Sequence, residues 1–170
     1  RLYSKNLMNI LYLEDDFITA EQSKNIINFY NNHLIHSYEY RTDFNNISYP
    51  LNIVNQYKHE PLLNTSVDRM VKICKGFVCD AKLDLVEIVK RPPNSFMDYH
   101  IDSTKGDILS GILYLNDDYS GGSTGFESFQ VEPKVGRLII FSNSHYQHCV
   151  NEVKGNDRYT LSSWFVKNPV

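Results

Sequence analysis

From Leu83 onward the chain breaks into seven short runs, each apolar or alternating between apolar and polar residues: Leu83 to Val89, Phe96 to Ile101, Ile108 to Leu115, Phe126 to Val131, Arg137 to Phe141, His148 to Val153 and Arg158 to Val166. Turn-forming residues separate them, among them Pro92-Pro93-Asn94, Gly121-Gly122 and Lys154-Gly155-Asn156-Asp157. Runs this short, broken so regularly, read as strands rather than helices. Closely spaced strands of this kind close into a sandwich or barrel, because each needs a second sheet to bury its apolar face.

The first half has a different texture. Acidic residues and Thr19 precede a helically periodic stretch, Ala20 to Leu34, with Ile26, Ile27, Phe29, Tyr30 and Leu34 as its apolar positions. A second helix is predicted over Ser66 to Phe77, with Val67, Met70, Val71 and Ile73 or Cys74 on one side. Tyr40 to Asn55, rich in Asn, Thr, Ser and Tyr, reads as loop with a short strand or two. The expectation is an α+β fold: a small antiparallel jelly roll with N-terminal supporting helices. Met8 is read as the natural start, giving one domain over residues 8–170, with a helical part to about residue 80 and a strand core over 83–166.

At 170 residues the chain is long enough for one buried core and too short for two ordinary ones. A net charge of −3 leaves no overall field to draw it onto nucleic acid or anionic lipid. The three cysteines, Cys74, Cys79 and Cys149, lack C-x-x-C spacing, which argues against a disulfide framework and a thiolate zinc site. With no apolar run of transmembrane length and no secretory leader pattern, a reducing, cytoplasmic setting is expected.

His100 and Asp102 lie two apart in a predicted strand, so both point to one face. A second imidazole from a distant strand would complete a two-histidine, one-carboxylate set, which leaves positions open on ferrous iron. His148 is the candidate, 46 residues beyond Asp102; His145, in the preceding turn, is the alternative. H-x-D alone is common on surface strands. Ten residues after His148, however, comes Arg158, whose planar fork suits a carboxylate.

Six motifs carry a resemblance: H-I-D at His100 to Asp102, I-L-Y-L-N at Ile112 to Asn116, G-G-S-T-G-F at Gly121 to Phe126, G-R-L-I-I-F at Gly136 to Phe141, H-C-V at His148 to Val150, and G-N-D-R-Y-T-L-S-S-W at Gly155 to Trp164. In order and spacing, Leu83 to Val166 resembles the catalytic core of 2-oxoglutarate and iron(II)-dependent oxygenases, in particular the prolyl 4-hydroxylase-like branch. The resemblance implies a double-stranded β-helix. It makes His100, Asp102 and His148 the metal ligands, and Arg158 the partner of the far carboxylate of 2-oxoglutarate. Tyr114 is expected to hydrogen-bond that carboxylate too. Thr160 either helps hold it or fills space, and Trp164 is assigned to core packing. The implied cofactors are Fe(II), 2-oxoglutarate as cosubstrate and dioxygen, with ascorbate as an accessory reductant.

The implied activity is hydroxylation of a C–H bond, first of a prolyl residue in a peptide or protein, alternatively of a free amino acid or small metabolite. A non-catalytic metal-binding jelly roll is the rival from outside the enzymes. The retained Asp102 argues against the related halogenases, and Trp164, where nucleic-acid demethylases carry a second arginine, against that branch. The chain departs from the pattern at Lys90-Arg91, where relatives often have tyrosine, and at Asn94, where they have glycine. An altered entrance to the site is therefore expected.

Overall fold

The computed structural model describes residues 10–42, 45–102, 106–143 and 146–167. Met8 and the residues before it, and His145, lie outside the described residues. Thr19 caps the first helix, α1 (Ala20–Asn32), accepting from the Gln22 amide while the Gln22 side chain accepts from the Thr19 amide. The second helix, α2 (Pro61–Phe77), starts five residues before the predicted Ser66. Pro61 explains the difference: at the first helical position it lacks only an N–H that would have no partner anyway. Leu63, Val67, Met70 and Cys74 recur at helical spacing and are all buried. Among the described residues no helix is long and apolar enough to cross a membrane.

Thirteen strands are described: β1 (Ile10–Glu14), β2 (Tyr40–Arg41), β3 (Ile47–Asn52), β4 (Ala81–Arg91), β5 (Met97–His100), β6 (Asp107–Tyr114), β7 (Ser120–Gly121), β8 (Thr124–Phe126), β9 (Phe129–Val131), β10 (Leu138–Ser142), β11 (His148–Val150), β12 (Val153–Lys154) and β13 (Arg158–Lys167). Seven form one sheet in the order β1-β10-β6-β13-β4-β3-β2, and four form a second, β5-β11-β8-β9, with β12 and β7 paired apart. All the pairings are antiparallel. This is the expected α+β jelly roll: helices on one face of the large sheet, the small sheet on the other.

Three strand readings change. β1 precedes the helices and was not expected; its continuous apolar Ile-Leu-Tyr-Leu run is drawn into the sheet by pairing with β10, more than 120 residues away. The predicted strand Phe126 to Val131 is a hairpin, β8 and β9, closed by Glu127-Ser128 with Phe126 and Phe129 stacked at 4.8 Å between centroids. No Gly, Pro, Asn or Asp marks that turn. His148 to Val153 likewise divides into β11 and β12, which join different sheets.

The large sheet has two unlike faces. Alternate residues Val86 and Ile88 of β4, Leu109 and Leu113 of β6, and Leu161 and Phe165 of β13 pack with Ile26, Tyr30, Leu63, Val67 and Met70 from the helices. On the other side Ile112, Tyr114, Phe126, Val131, Ile139 and Phe141 form a smaller core. Beside that smaller core lies the cavity described next.

Candidate active site

Period-two alternation puts Arg158, Thr160, Ser162 and Trp164 of β13 on one face, and Leu85, Glu87, Val89 and Arg91 of β4 on the same side. All eight line a cavity of about 640 Å³, together with His100, Asp102 and His148. A strand face that is both polar and largely buried is the unusual feature, since buried polar groups must find partners.

His100 ends β5 and stands directly opposite His148, which opens β11. Their rings are 4.2 Å apart between centroids. Asp102 lies two residues past the end of β5, not on it as the sequence predicted, yet it reaches the same point. Its Oδ1 is 3.2 Å from His100 Nε2, and its Oδ2 is 3.5 Å from His148 Nε2. One donor atom from each of the three lies within 4.8 Å of the others, so the set could hold a metal ion.

The protonation states suit that use. Burial and the charge of His148 bear on Asp102 in opposite directions; with hydrogen bonds from His100 and Ser110 added, its carboxyl is held at about 2. Burial pulls His148 down to about 4, leaving a neutral imidazole at neutral pH, which is the form that donates to a metal. His100 Nδ1 lies 2.8 Å from the Asp98 carbonyl oxygen. Burial opposes protonation of His100, but its hydrogen bonds to Asp102 and to the Asp98 carbonyl raise its pKa; a metal would take the place of the Nε2 proton and leave Nδ1–H on the carbonyl.

Asp102 is held from behind. Trp164 Nε1 donates to its Oδ2 at 2.9 Å, and Ser110 Oγ donates to the same oxygen at 2.7 Å. Asn143 Nδ2 donates in turn to Ser110 Oγ at 2.8 Å. Trp164 is therefore not a core residue as expected from sequence: it lies on the cavity wall and orients a candidate ligand. Ser110 and Asn143 were missed. A polar residue at an inward position of an apolar strand was the available signal for Ser110.

Arg158 is 2% exposed. Its Nε donates to the Gly122 carbonyl at 2.9 Å, its guanidinium lies 5.2 Å from the Tyr114 ring centroid, and its Nη2 is buried with no hydrogen-bond partner among the described residues. Gly122 makes room for it: at φ +61° a Cβ would come within 2.7 Å of the Tyr119 ring and 3.1 Å of Arg158 Cδ. Tyr119, also missed, has a buried hydroxyl with no hydrogen-bond partner among the described residues; burial raises its pKa, against the opposing charge of the nearby Arg158. Thr160 lines the cavity, its hydroxyl 3.2 Å from that of Ser162. Tyr114 sits behind Arg158, its hydroxyl 2.5 Å from Thr124 Oγ1 and donating to the Val131 carbonyl at 3.3 Å.

The departures resolve into separate effects. Asn94 adopts φ +66°, a left-handed conformation that asparagine tolerates, so it does the backbone work of a glycine. Lys90 turns away to Asp157 at 3.6 Å. Arg91 turns into the cavity, where burial and then the charge of Arg158 lower its pKa to about 9. Cys149 is buried on the strand face opposite His148, as expected of a packing residue.

The fold and the donor set together define a class: a double-stranded β-helix protein with a two-histidine, one-carboxylate metal site. Residues 86–166 match the model of the 2OG-Fe(II) oxygenase superfamily. Prolyl 3-hydroxylase 1 of Gallus gallus is 32% identical over 100 residues, covering 54% of this chain and 12% of that protein, so the chain spans only a small part of this relative's length. A Pseudomonas putida prolyl-4-hydroxylase structure superposes with a TM-score of 0.74 at 20% identity, covering 93% of this chain and 92% of that one. A Trichoplax adhaerens prolyl hydroxylase, solved with a hypoxia inducible factor peptide fragment, gives 0.73 at 17% identity, covering 92% and 83%.

Proposed function

We propose that this chain is an Fe(II)- and 2-oxoglutarate-dependent dioxygenase that hydroxylates a C–H bond of a prolyl residue in a peptide or protein. The observation that carries the reading is the pairing, in one cavity, of a metal-competent cluster with a buried arginine whose Nη2 has no hydrogen-bond partner among the described residues. A structural arginine would be satisfied; one waiting for a carboxylate would not. His100, Asp102 and His148 would hold the iron, and Arg158, supported by Tyr114 and Thr160, the far carboxylate of 2-oxoglutarate. Iron with 2-oxoglutarate and dioxygen supplies the oxidising power for an unactivated C–H bond.

The protein's own part is positional. Trp164 and Ser110 hold Oδ2 of Asp102, which fixes the carboxylate against the two imidazoles. Gly122 fixes the Arg158 fork, and Val89, Ile112 and Val150 give the cavity apolar walls that limit water. Residues 8–170 are read as one oxygenase domain, with ascorbate as an accessory reductant. The unpaired Cys74, Cys79 and Cys149 accord with a reducing, cytoplasmic setting.

Anaerobic addition of ferrous iron and 2-oxoglutarate should give a visible charge-transfer band; a folded, iron-loaded sample without one would leave only a non-catalytic jelly roll. For substrate, conversion of 2-oxoglutarate to succinate across prolyl peptides and free amino acids decides the class. Product analysis for 3- or 4-hydroxyproline decides the position. Stimulation by free amino acids alone would overturn the peptidyl reading in favour of a small-molecule hydroxylase, an alternative that the second buried arginine, Arg91, favours.

A further inference from the structure

Arg158 has an unexpected neighbour. Arg91 ends β4 directly opposite Arg158 in the β4–β13 ladder, is 6% exposed, and lines the same cavity. Among the described residues its hydrogen bonds all go to neutral groups. Nη1 donates to Asn46 Oδ1 at 3.0 Å and to the Ile47 carbonyl at 3.5 Å, and Nη2 to Met97 Sδ at 3.1 Å. A guanidinium has five N–H donors, so two remain without an acceptor among the described residues.

No ion pair among the described residues involves either arginine. Of the four carboxylates on the cavity wall, Glu87 accepts from Tyr38 at 3.1 Å, Asp102 is taken up by the histidines, Ser110 and Trp164, and Asp84 and Asp98 are exposed and pair with neither arginine. Two buried cations face one cavity, and no carboxylate of the described residues forms an ion pair with either; burying an unpaired charge is strongly unfavourable. One carboxylate of 2-oxoglutarate answers Arg158. Arg91 then remains unanswered.

We propose that Arg91 is a second carboxylate-binding site in this cavity, between the metal cluster and Arg158. The proposal rests on the oxygenase reading. Its carboxylate comes either from the 2-oxo acid end of the cosubstrate or from the molecule to be hydroxylated, and in the second case the enzyme selects acidic substrates, including free amino acids. The remaining N–H donors suit a carboxylate because the fork can offer two to its two oxygens.

Trp164 is the chain's only tryptophan and lines the cavity, so its fluorescence reports occupancy without turnover. With Zn(II) in place of iron, 2-oxoglutarate is titrated into the wild type and into Arg91→Met, Arg91→Lys and Arg158→Met. N-acetylproline and its amide are then titrated with 2-oxoglutarate saturating. Arg91→Met should weaken one carboxylate ligand by about tenfold or more, with Arg91→Lys intermediate and a thermal midpoint no lower than wild type, since an unpaired buried charge is gone.

Loss confined to 2-oxoglutarate assigns the cosubstrate's carboxylate. Loss confined to N-acetylproline, with the amide unaffected, assigns the substrate's. Unchanged 2-oxoglutarate affinity in Arg91→Met, together with no preference for acid over amide in the wild type, overturns the proposal and leaves Arg91 a strut for the Asn46 segment. If Arg91→Met does not fold, Arg91→Lys decides, and wild-type affinity for both ligands overturns the proposal. Failure of the wild type to bind 2-oxoglutarate is a separate result, which removes the oxygenase reading itself; 2-oxoglutarate binding that depends on Arg158, with neither it nor N-acetylproline sensitive to Arg91, keeps that reading and removes only this inference.

Discussion

The two faces of β13 are built on opposite rules. Leu161 and Phe165 turn to the helices and are completely buried among apolar side chains. Arg158, Thr160, Ser162 and Trp164 turn to the cavity, buried or half-buried but polar, and Arg158 carries a donor with no partner among the described residues. Both faces belong to one continuous ten-residue strand. The helix face gives the fold its stability; the cavity face spends some of it on groups held ready for ligands. Substitutions on the two faces should therefore separate chemistry from folding.

The largest effect is expected for Asp102→Ala, which should abolish the charge-transfer band and turnover while circular dichroism shows a folded protein. On the opposite face Leu161→Ala should cost about 2–5 kcal/mol in denaturant unfolding, because it leaves a cavity in a close-packed layer. Its activity per folded molecule should stay near wild type. A loss of activity larger than the loss of folded protein would break the division between the faces.

Trp164→Phe sharpens the comparison, since it keeps the ring and deletes only the N–H that reaches Asp102. Metal affinity, read by chelator competition, should fall about tenfold to a hundredfold with little change in stability. A purely packing role for Trp164 would give unchanged metal affinity.

The smallest effect lies at the sheet's edge. Asp15 follows β1 and pairs with Arg137, ahead of β10, at 2.6 Å and with Lys134 at 3.0 Å. The Arg137 hydrogen bond chiefly holds its pKa at about 2, below the ordinary 3.8. A depressed folded-state pKa means stability present above about pH 4 and lost as pH falls through 2. The pair is partly exposed, so the contribution is below about 1 kcal/mol. Asp15→Asn should remove that part of the acid-side slope in thermal melts taken between pH 4 and 2.

Local periodicity in the sequence already fixed much of this. Alternation put Arg158 and Thr160 on one strand face, and the H-x-D pair with a distant H-C-V identified the three residues that the structure brings within 4.8 Å. Thr19 marked the start of α1, where the structure closes a capping box with Gln22. Each of these signals depends on neighbours in the chain, and so survives without knowledge of what packs where.

What the sequence left undecided was every relation between distant segments. Trp164 meets Asp102 from 62 residues away, Arg91 faces Arg158 from 67, and β1 finds β10 across more than 120. A strand pattern says that a side chain lies on one face, but not whether that face meets helices, a second sheet or a cavity. That choice is made by sheet order and register, which are set by the packing of the whole domain. It is why Trp164 read as core, Arg91 as an altered entrance, and both are cavity residues in the fold.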